Sequence, residues 1–208
     1  MKFFERMMTM PFQLESPFID DYLKPTDVVN YQHPHIQQII DTLHIAPLSE
    51  LEKVQRLYEY VRDDIAHSWD EQNHVVTRTA SEVAEHQTGI CYAKANLLAA
   101  LLRKEGIPSG FCYQRLMLFD EPEQGYYLHA FNGIYLTTLN RWIYVDARGN
   151  VQTELSIEEP ALAFIPDESL GEKTYETIYV APNNKTMHVL EEAQDALVMY
   201  TNDLPDTL

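Results

Sequence analysis

The sequence contains little cysteine, little glycine and few basic residues, and each shortage excludes a class of protein. Its two cysteines, Cys91 and Cys112, are too few for a disulfide framework. Seven glycines and no low-complexity tract indicate a compact chain rather than a disordered one. Fifteen Lys and Arg against 32 Asp and Glu give a net charge of −17. Such a surface repels phosphates, so we expect no nucleic-acid partner.

Long apolar runs are absent as well. No stretch approaches the ~20 apolar residues of a membrane span, and the opening MKFFERMMTMPF has no apolar run of signal-peptide length. We therefore expect no membrane partner and a reducing, cytoplasmic location. The hydrophobic content of 45% is enough for one sizeable core. The sequence predicts a single domain over 1–208, with a core at about 48–150, an N-terminal helical arm and a C-terminal strand and helix extension.

The spacing of the apolar residues changes from a period of 3.6 to a period of 2 near Ser109. Before that point it predicts helices at 33–45, 48–69 and 80–87, and a fourth helix that begins at Cys91 and ends at Gly106. After it, the pattern predicts strands at 109–119, 125–138, 141–149 and 176–182, and a last helix at 186–200. Helices followed by strands indicate an α+β fold, with a helix bundle packed on an antiparallel sheet.

The helix predicted at 48–69 has the clearest signals. Ser49 and Glu52 form a capping-box pattern at its start. One apolar stripe runs along it, made of Leu51, Val54, Leu57, Tyr58, Val61 and Ile65. In the helix that begins at Cys91, Gly106 provides a C-terminal cap.

Three residues in chain order carry possible chemistry. Cys91 opens a helix, where unpaired N–H groups and the helix dipole stabilise a thiolate. His129 lies in a strand 38 residues later, and Asp146 ends the next strand, 17 residues after His129. That spacing allows the two strands to pair as a hairpin. Taken singly, a core cysteine, a structural histidine and a turn aspartate are the ordinary alternatives, but the combination matches a nucleophile, a base and a carboxylate that orients the base.

Three blocks of this sequence, GICYAKANLLAALLRKEGIPS, LHAFNGIYL and RWIYVDARGN, occur in the order typical of one family. The chain resembles the transglutaminase-like superfamily, and its DARGN motif resembles a bacterial subgroup. The resemblance implies a papain-like fold with the nucleophile at a helix N-terminus. By position it makes Cys91 the nucleophile, His129 the base and Asp146 the orienting acid. The chain departs from the family pattern at Phe131, where many members have tryptophan.

The function implied by the resemblance is thiol-dependent acyl transfer on an amide or peptide bond, by a peptidase, an amidase or a transglutaminase-type enzyme. We expect a peptide or protein amide substrate and no cofactor. A non-enzymatic protein- or peptide-binding module on the same fold is the alternative. Zinc held by Cys91, His129 and Asp146 is a third reading, and the HPH sequence at 33–35 is a weak metal signal.

Four further residues are candidates for binding the substrate or the oxyanion. The backbone N–H of Cys91 is one expected oxyanion donor. A side-chain donor is expected from Trp69 first and Gln87 second. Tyr92 is expected to line the cleft or to pack beneath it. Arg148 is expected to brace the sheet edge or to bind a substrate carboxylate or carbonyl.

Overall fold

The four α-helices before residue 105 come ahead of the four long strands of the sheet, as the change of period predicts. The computed structural model describes residues 12–149 and 153–208, so the first part of the expected N-terminal arm and Asn150 of the DARGN motif lie outside the described residues. The helices are α1 (Pro34–Thr42), α2 (Glu50–Glu59), α3 (Ala80–His86), α4 (Cys91–Lys104), α5 (Asn184–Glu192) and α6 (Ala196–Asn202). The strands are β1 (Gln13–Leu14), β2 (Ala66–His67), β3 (Thr88–Gly89), β4 (Ser109–Met117), β5 (Tyr126–Leu136), β6 (Arg141–Val145) and β7 (Lys173–Tyr179). Short 3₁₀ helices lie at Ile19–Leu23, Leu118–Asp120, Pro122–Gln124 and Glu168–Leu170.

One five-stranded sheet has the order β1-β7-β4-β5-β6. Strand β4 pairs antiparallel with β5 and β7, β5 pairs antiparallel with β6, and β1 runs parallel to β7. Strands β2 and β3 form a separate parallel pair. This arrangement confirms the α+β class and the antiparallel sheet.

Helix α4 is the centre of the fold. Every residue from Cys91 to Arg103 is buried, and the helix contacts both α3 and β5. Its leucines and alanines suit a helix that is enclosed on all sides. The buried guanidinium of Arg103 donates to the carbonyls of Ser109 and Val180, so its charge is solvated by backbone oxygens. Gly106 comes next with φ +74, the left-handed conformation of a C-terminal glycine.

Helix α2 begins as predicted but ends early. The capping box between Ser49 and Glu52 is present. Leu51 is 38% exposed, so it does not belong to the buried stripe, because the first turn of α2 extends past the core. The helix widens into one π turn at Tyr60–Asp64 and then becomes strand β2. The expected helix up to residue 69 was therefore wrong, since pairing with β3 takes over at Ala66.

The last helix of the prediction is in fact two helices. The helix expected at 186–200 is interrupted between α5 and α6, where Ala193 has extended backbone angles. Asp195 then caps α6, because its carboxylate accepts hydrogen bonds from the N–H groups of Leu197 and Val198. Within the described residues, no helix has both the length and the hydropathy needed to cross a membrane.

Candidate active site

The start of α4 is fixed by a close approach of backbone to side chains. Ile90 is extended (φ −77, ψ 174), so the chain turns directly from β3 into the helix at Cys91. A Cβ atom on Gly89 would lie only 2.9 Å from Ala93 Cβ and from Thr77 Oγ1. Only glycine fits there, and the result is a cysteine at the first position of a buried helix, where the unpaired N–H groups favour a thiolate.

The hairpin of β5 and β6 brings the histidine and the aspartate together. Asn132 pairs with Val145 in the register, so Asp146 comes just after the last paired residue of β6. His129 Nε2 lies 2.6 Å from Asp146 Oδ2. Both side chains are 1% exposed. The two residues are therefore in contact, as their spacing in the sequence allows.

The charges of the site decide which forms are populated. Burial by itself would lower the pKa of His129, but the negative charges of Asp146 and Cys91, with hydrogen bonds to both, raise that pKa to about 10. Burial pushes the pKa of Asp146 upward, but the imidazolium outweighs it and holds this pKa below its ordinary value. Because Nε2 faces Asp146, Nδ1 is the ring nitrogen left for Cys91. This geometry supports an imidazolium beside the Asp146 carboxylate at neutral pH.

Asp146 is itself held in place by backbone donors. The N–H of Arg148 donates to Oδ1 at 3.0 Å, and the N–H of Ala163 donates to Oδ2 at 3.2 Å. The carboxylate that contacts His129 is therefore held by two separate segments of the chain.

A buried lysine links helix α4 to the loop that carries Asp146. Lys94 lies one turn after Cys91, and its Nζ donates to the carbonyl oxygens of Arg148 (2.9 Å), Arg62 (3.4 Å) and Ile65. Burial lowers the pKa of Lys94 to about 8. The three carbonyls replace the water that the ammonium loses on burial, and they fix the loop that carries Asp146 against α4.

Arg148 braces this loop from the outside. Its guanidinium makes a bidentate ion pair with Asp70, at 2.7 and 3.0 Å. Burial disfavours the guanidinium charge, but Asp70 more than compensates and raises the pKa of Arg148. Arg148 is expected either to brace the sheet edge or to bind substrate. Its contacts match the bracing role, because both terminal guanidinium nitrogens already bind the carboxylate of Asp70.

Tyr92 and Gln87 lie away from the cleft. Tyr92 is 1% exposed, and its hydroxyl donates to the carbonyl of Leu128 at 2.6 Å, so it packs beneath the cleft. Gln87 ends α3 in a left-handed conformation, and its amide donates to Tyr60 Oη and the carbonyl of Ala84. Since these contacts engage its amide at another surface, we leave Gln87 out of the proposed site.

Trp69 lies at a cavity of about 270 Å³ beside the histidine. Its indole stacks on the ring of Tyr200, with centroids 4.9 Å apart and planes 16° apart. Tyr200 belongs to α6, more than 100 residues further along the chain, so no local sequence pattern indicates this contact.

A second buried imidazole, that of His67, is not among the residues predicted from the sequence. His67 is buried, and neither of its ring nitrogens hydrogen-bonds to any part of the chain that the structure describes. Burial, with help from the charges of Arg148 and Lys94, lowers its pKa well below the ordinary value. A neutral imidazole therefore lies among the charged groups of the site. The one feature of the sequence that could have drawn attention to His67 is the short run HSWD, which places it close to Trp69 and Asp70.

The histidines of the HPH sequence have a structural role. His33 caps α1 by accepting a hydrogen bond from the N–H of His35. Among the described residues, no group of three or more His, Cys, Asp or Glu side chains is arranged to hold a metal ion.

Comparison with known proteins assigns a family to this geometry. The model of the transglutaminase-like superfamily matches residues 38–147, more than half of the chain. The chain belongs to this superfamily. The matched range of the transglutaminase-like domain includes Cys91, His129 and Asp146. No curated protein matches the chain.

Two solved structures are similar to the chain. A candidate cysteine protease from Cytophaga hutchinsonii matches with a TM-score of 0.51 and 16% identity, covering 68% of this chain and 47% of that one. A structure of a TGase matches with a TM-score of 0.44 and 17% identity, covering 83% of this chain and 48% of that one. The chain thus spans about half the length of each structure. The first likeness, together with the family, confirms the expected papain-like and transglutaminase-like fold.

Proposed function

We propose that this transglutaminase-like protein is a cysteine-dependent acyl-transfer enzyme that acts on amide or peptide bonds. The observation that carries the proposal is the 2.6 Å contact between His129 and Asp146, with Cys91 at the start of the helix beside them. A buried imidazole that faces a thiol on one side and a carboxylate on the other is the arrangement that activates a sulfur nucleophile.

The proposed reaction proceeds in two halves. The Cys91 thiolate attacks the carbonyl carbon, and the carbon–nitrogen bond breaks as His129 donates its Nδ1 proton to the leaving nitrogen. A thioester on Cys91 and a neutral imidazole remain. His129 then removes a proton from water or from an amine, which attacks the thioester and releases an acid or a new amide. The proton on His129 and the thiolate on Cys91 are restored together.

Two donors are proposed for the oxyanion of the tetrahedral intermediate. The backbone N–H of Cys91 is at the first position of α4, where helix N–H groups have no partner within the helix. We retain Trp69 as the side-chain donor, because its indole borders the same cavity as Arg148. The variant Trp69→Phe separates the roles, since it keeps the ring and removes the N–H. It should lower kcat by about 10²-fold with little change in KM.

The finer assignments are part of the same proposal. Water as the acceptor makes hydrolysis the first reaction to test, and an amine acceptor would make it transamidation. We propose peptide or protein substrates. Both cysteines are free and buried, which suits the reducing conditions of the cytoplasm.

One observation favours a binding module as the second candidate. Cys91 is only 4% exposed, and His129 and Asp146 are 1% exposed. A substrate must therefore displace covering side chains to reach the sulfur, whereas a module that binds a peptide on its surface needs no such access.

A panel of fluorogenic peptide amides, with and without an added primary amine, tests the proposal. Wild type should release the amine product, Cys91→Ala should lose this activity by about 10⁴-fold or more, and Cys112→Ala should keep it. Activity that survives in Cys91→Ala would exclude the proposed nucleophile. A wild type that binds the peptides but leaves them intact, with an unreactive Cys91, would favour the binding module.

A further inference from the structure

The cavity beside His129 is walled by aromatic rings from separate segments of the chain. It measures about 270 Å³. Its aromatic residues are Trp69, Phe119, Tyr127, Phe164 and Tyr200. Neighbouring rings in this set contact one another, with centroids 4.9 Å apart for Trp69 and Tyr200 and 5.1 Å apart for Trp69 and Phe119. Such walls offer both faces and edges of rings to an apolar guest.

Two residues of the cavity wall lie between the cavity and His129. Tyr127 and Phe164 line it, and both also contact the imidazole of His129 edge-on, with centroids 6.5 and 5.0 Å away. Arg148, in the loop that carries Asp146, lines it as well. A group held in the cavity would therefore lie one side chain away from the reacting bond.

The charged side chains in the cavity wall are already engaged. Arg148 is paired with Asp70, and its guanidinium also lies over the Phe164 ring. Glu172 accepts hydrogen bonds from the N–H groups of Met117 and Asp167, both at 2.8 Å. A charged guest would have to disrupt these contacts, whereas an uncharged ring would leave them intact.

The rim keeps large apolar side chains exposed to solvent. Phe119 is 41% exposed and Ile165 is 58% exposed. Phe119 is also held in the left-handed region (φ 57, ψ 21), which a bulky side chain rarely adopts. Exposed apolar groups around a cavity are covered when an apolar ligand binds.

We propose that this cavity binds an aromatic side chain next to the amide that the enzyme attacks, so that the substrates are peptides with an uncharged aromatic residue at that position. The inference rests on the proposed function, because it assigns a specificity to the same site. Phe119 and Ile165 at the rim and Tyr127 and Phe164 at the base are the contacts that select the ring.

The test uses two small alkylating probes, N-benzyl-2-chloroacetamide and N-methyl-2-chloroacetamide. The rate of Cys91 alkylation is followed by peptide mass spectrometry, and each rate is divided by the rate of the same probe with glutathione. Wild type should prefer the benzyl probe by at least about tenfold, as expected for burial of one ring. A third probe with a carboxymethyl group should gain nothing over the methyl probe.

The variants Phe119→Ala and Ile165→Ala should each reduce the benzyl preference to about threefold or less. Leu139→Ala is the matched control, because Leu139 is 46% exposed in the turn after β5, at the far end of that strand from His129. It should keep the wild-type preference. The melting temperature of each variant shows whether it is folded. The two rim variants give two independent measurements of the benzyl preference.

The outcomes separate this inference from the function on which it rests. If Cys91 reacts faster than glutathione and depends on His129, yet shows equal normalised rates with both probes, the aromatic subsite is wrong and the proposed function stands. A benzyl preference that persists in both rim variants would also overturn the subsite. If Cys91 reacts no faster than glutathione with any probe, both proposals fail.

Discussion

The two cysteines of this chain lie in contrasting surroundings. Cys112 is completely buried in strand β4, among apolar side chains that include Phe131 and Ile178, and burial raises the pKa of its thiol well above the ordinary value. Cys91 is also buried, but it begins a helix and lies against the imidazole of His129.

The difference shows that burial alone does not determine what a thiol can do. Around Cys112 burial outweighs the backbone hydrogen bond from Gly133 that favours a negative charge, so the sulfur acts as a small apolar group. Around Cys91 a helix N-terminus and an imidazolium favour that charge. If this account is correct, changes to the groups around Cys91 should make it behave like Cys112.

The largest effect is expected from Asp146→Asn. The amide has nearly the same shape as the carboxylate but no charge, so the pKa of His129 should fall and its orientation should loosen. We expect kcat to drop by about 10²- to 10⁴-fold, and the alkylation of Cys91 to slow at neutral pH. A kcat and a pH profile equal to those of wild type would show that Asp146 is not the orienting acid.

A smaller effect is expected from Lys94→Met, which removes the cation that joins α4 to the aspartate loop. The free energy of unfolding should fall by about 1–3 kcal/mol, because three buried carbonyls lose their donor, and kcat should fall with it. Lys53→Met is the control, since Lys53 forms an ion pair with Glu105 nearer the surface and should cost less than about 1 kcal/mol. Equal costs for the two variants would contradict the linking role. Urea unfolding measures the change in the free energy of unfolding, and steady-state kinetics measures the change in kcat.

Alanine substitutions at two glycines can distinguish the cost of backbone strain from the cost of a steric clash. Gly149 (φ +86) and Gly106 (φ +74) are both left-handed, but an added Cβ would lie 2.7 Å from the Arg62 carbonyl oxygen at Gly149 and would meet nothing within 4 Å at Gly106. Gly106→Ala should cost about 1 kcal/mol, and Gly149→Ala should cost more and should also lower kcat by moving the aspartate loop. Similar melting temperatures for the two variants would show that the loop carrying Asp146 can move to accommodate the added methyl group.

The last prediction concerns the pH dependence of stability. Because the pKa of His129 is raised to about 10 from an unfolded value of about 6.5, its contribution is complete below about pH 6.5 and is lost as the pH rises through 10. The melting temperature of wild type, relative to that of His129→Gln, should therefore decline from pH 6.5 to 10. Subtracting the variant removes the opposing trend of Lys94, whose lowered pKa makes stability rise between about pH 8 and 10.4. A constant difference would contradict the buried imidazolium.

Local patterns were sufficient to predict most of the longer elements and to identify Cys91, His129 and Asp146 as candidates. Period, caps and turns depend on near neighbours in the chain, so the helix at Cys91 and the hairpin of His129 and Asp146 were readable from spacing.

Contacts between distant segments were not readable. No local pattern marks Lys94, yet in the fold its ammonium is buried against carbonyls from two other segments. The sequence places Tyr200 at the end of one continuous helix, whereas in the fold its ring lies over Trp69. Gln87 is close to Cys91 in sequence, yet the turn between α3 and β3 directs it elsewhere. In each case tertiary packing determines the role.

The most direct test of the central claim is the pH dependence of iodoacetamide alkylation at Cys91 and Cys112, followed together by mass spectrometry in wild type and in His129→Ala. The account predicts rapid alkylation of Cys91 near pH 7 that is lost in the variant, while Cys112 stays unmodified in the folded protein. Slow alkylation of Cys91 that rises only near pH ~8.5, the range of a free thiol, and that is unchanged in His129→Ala would contradict the thiolate–imidazolium pair.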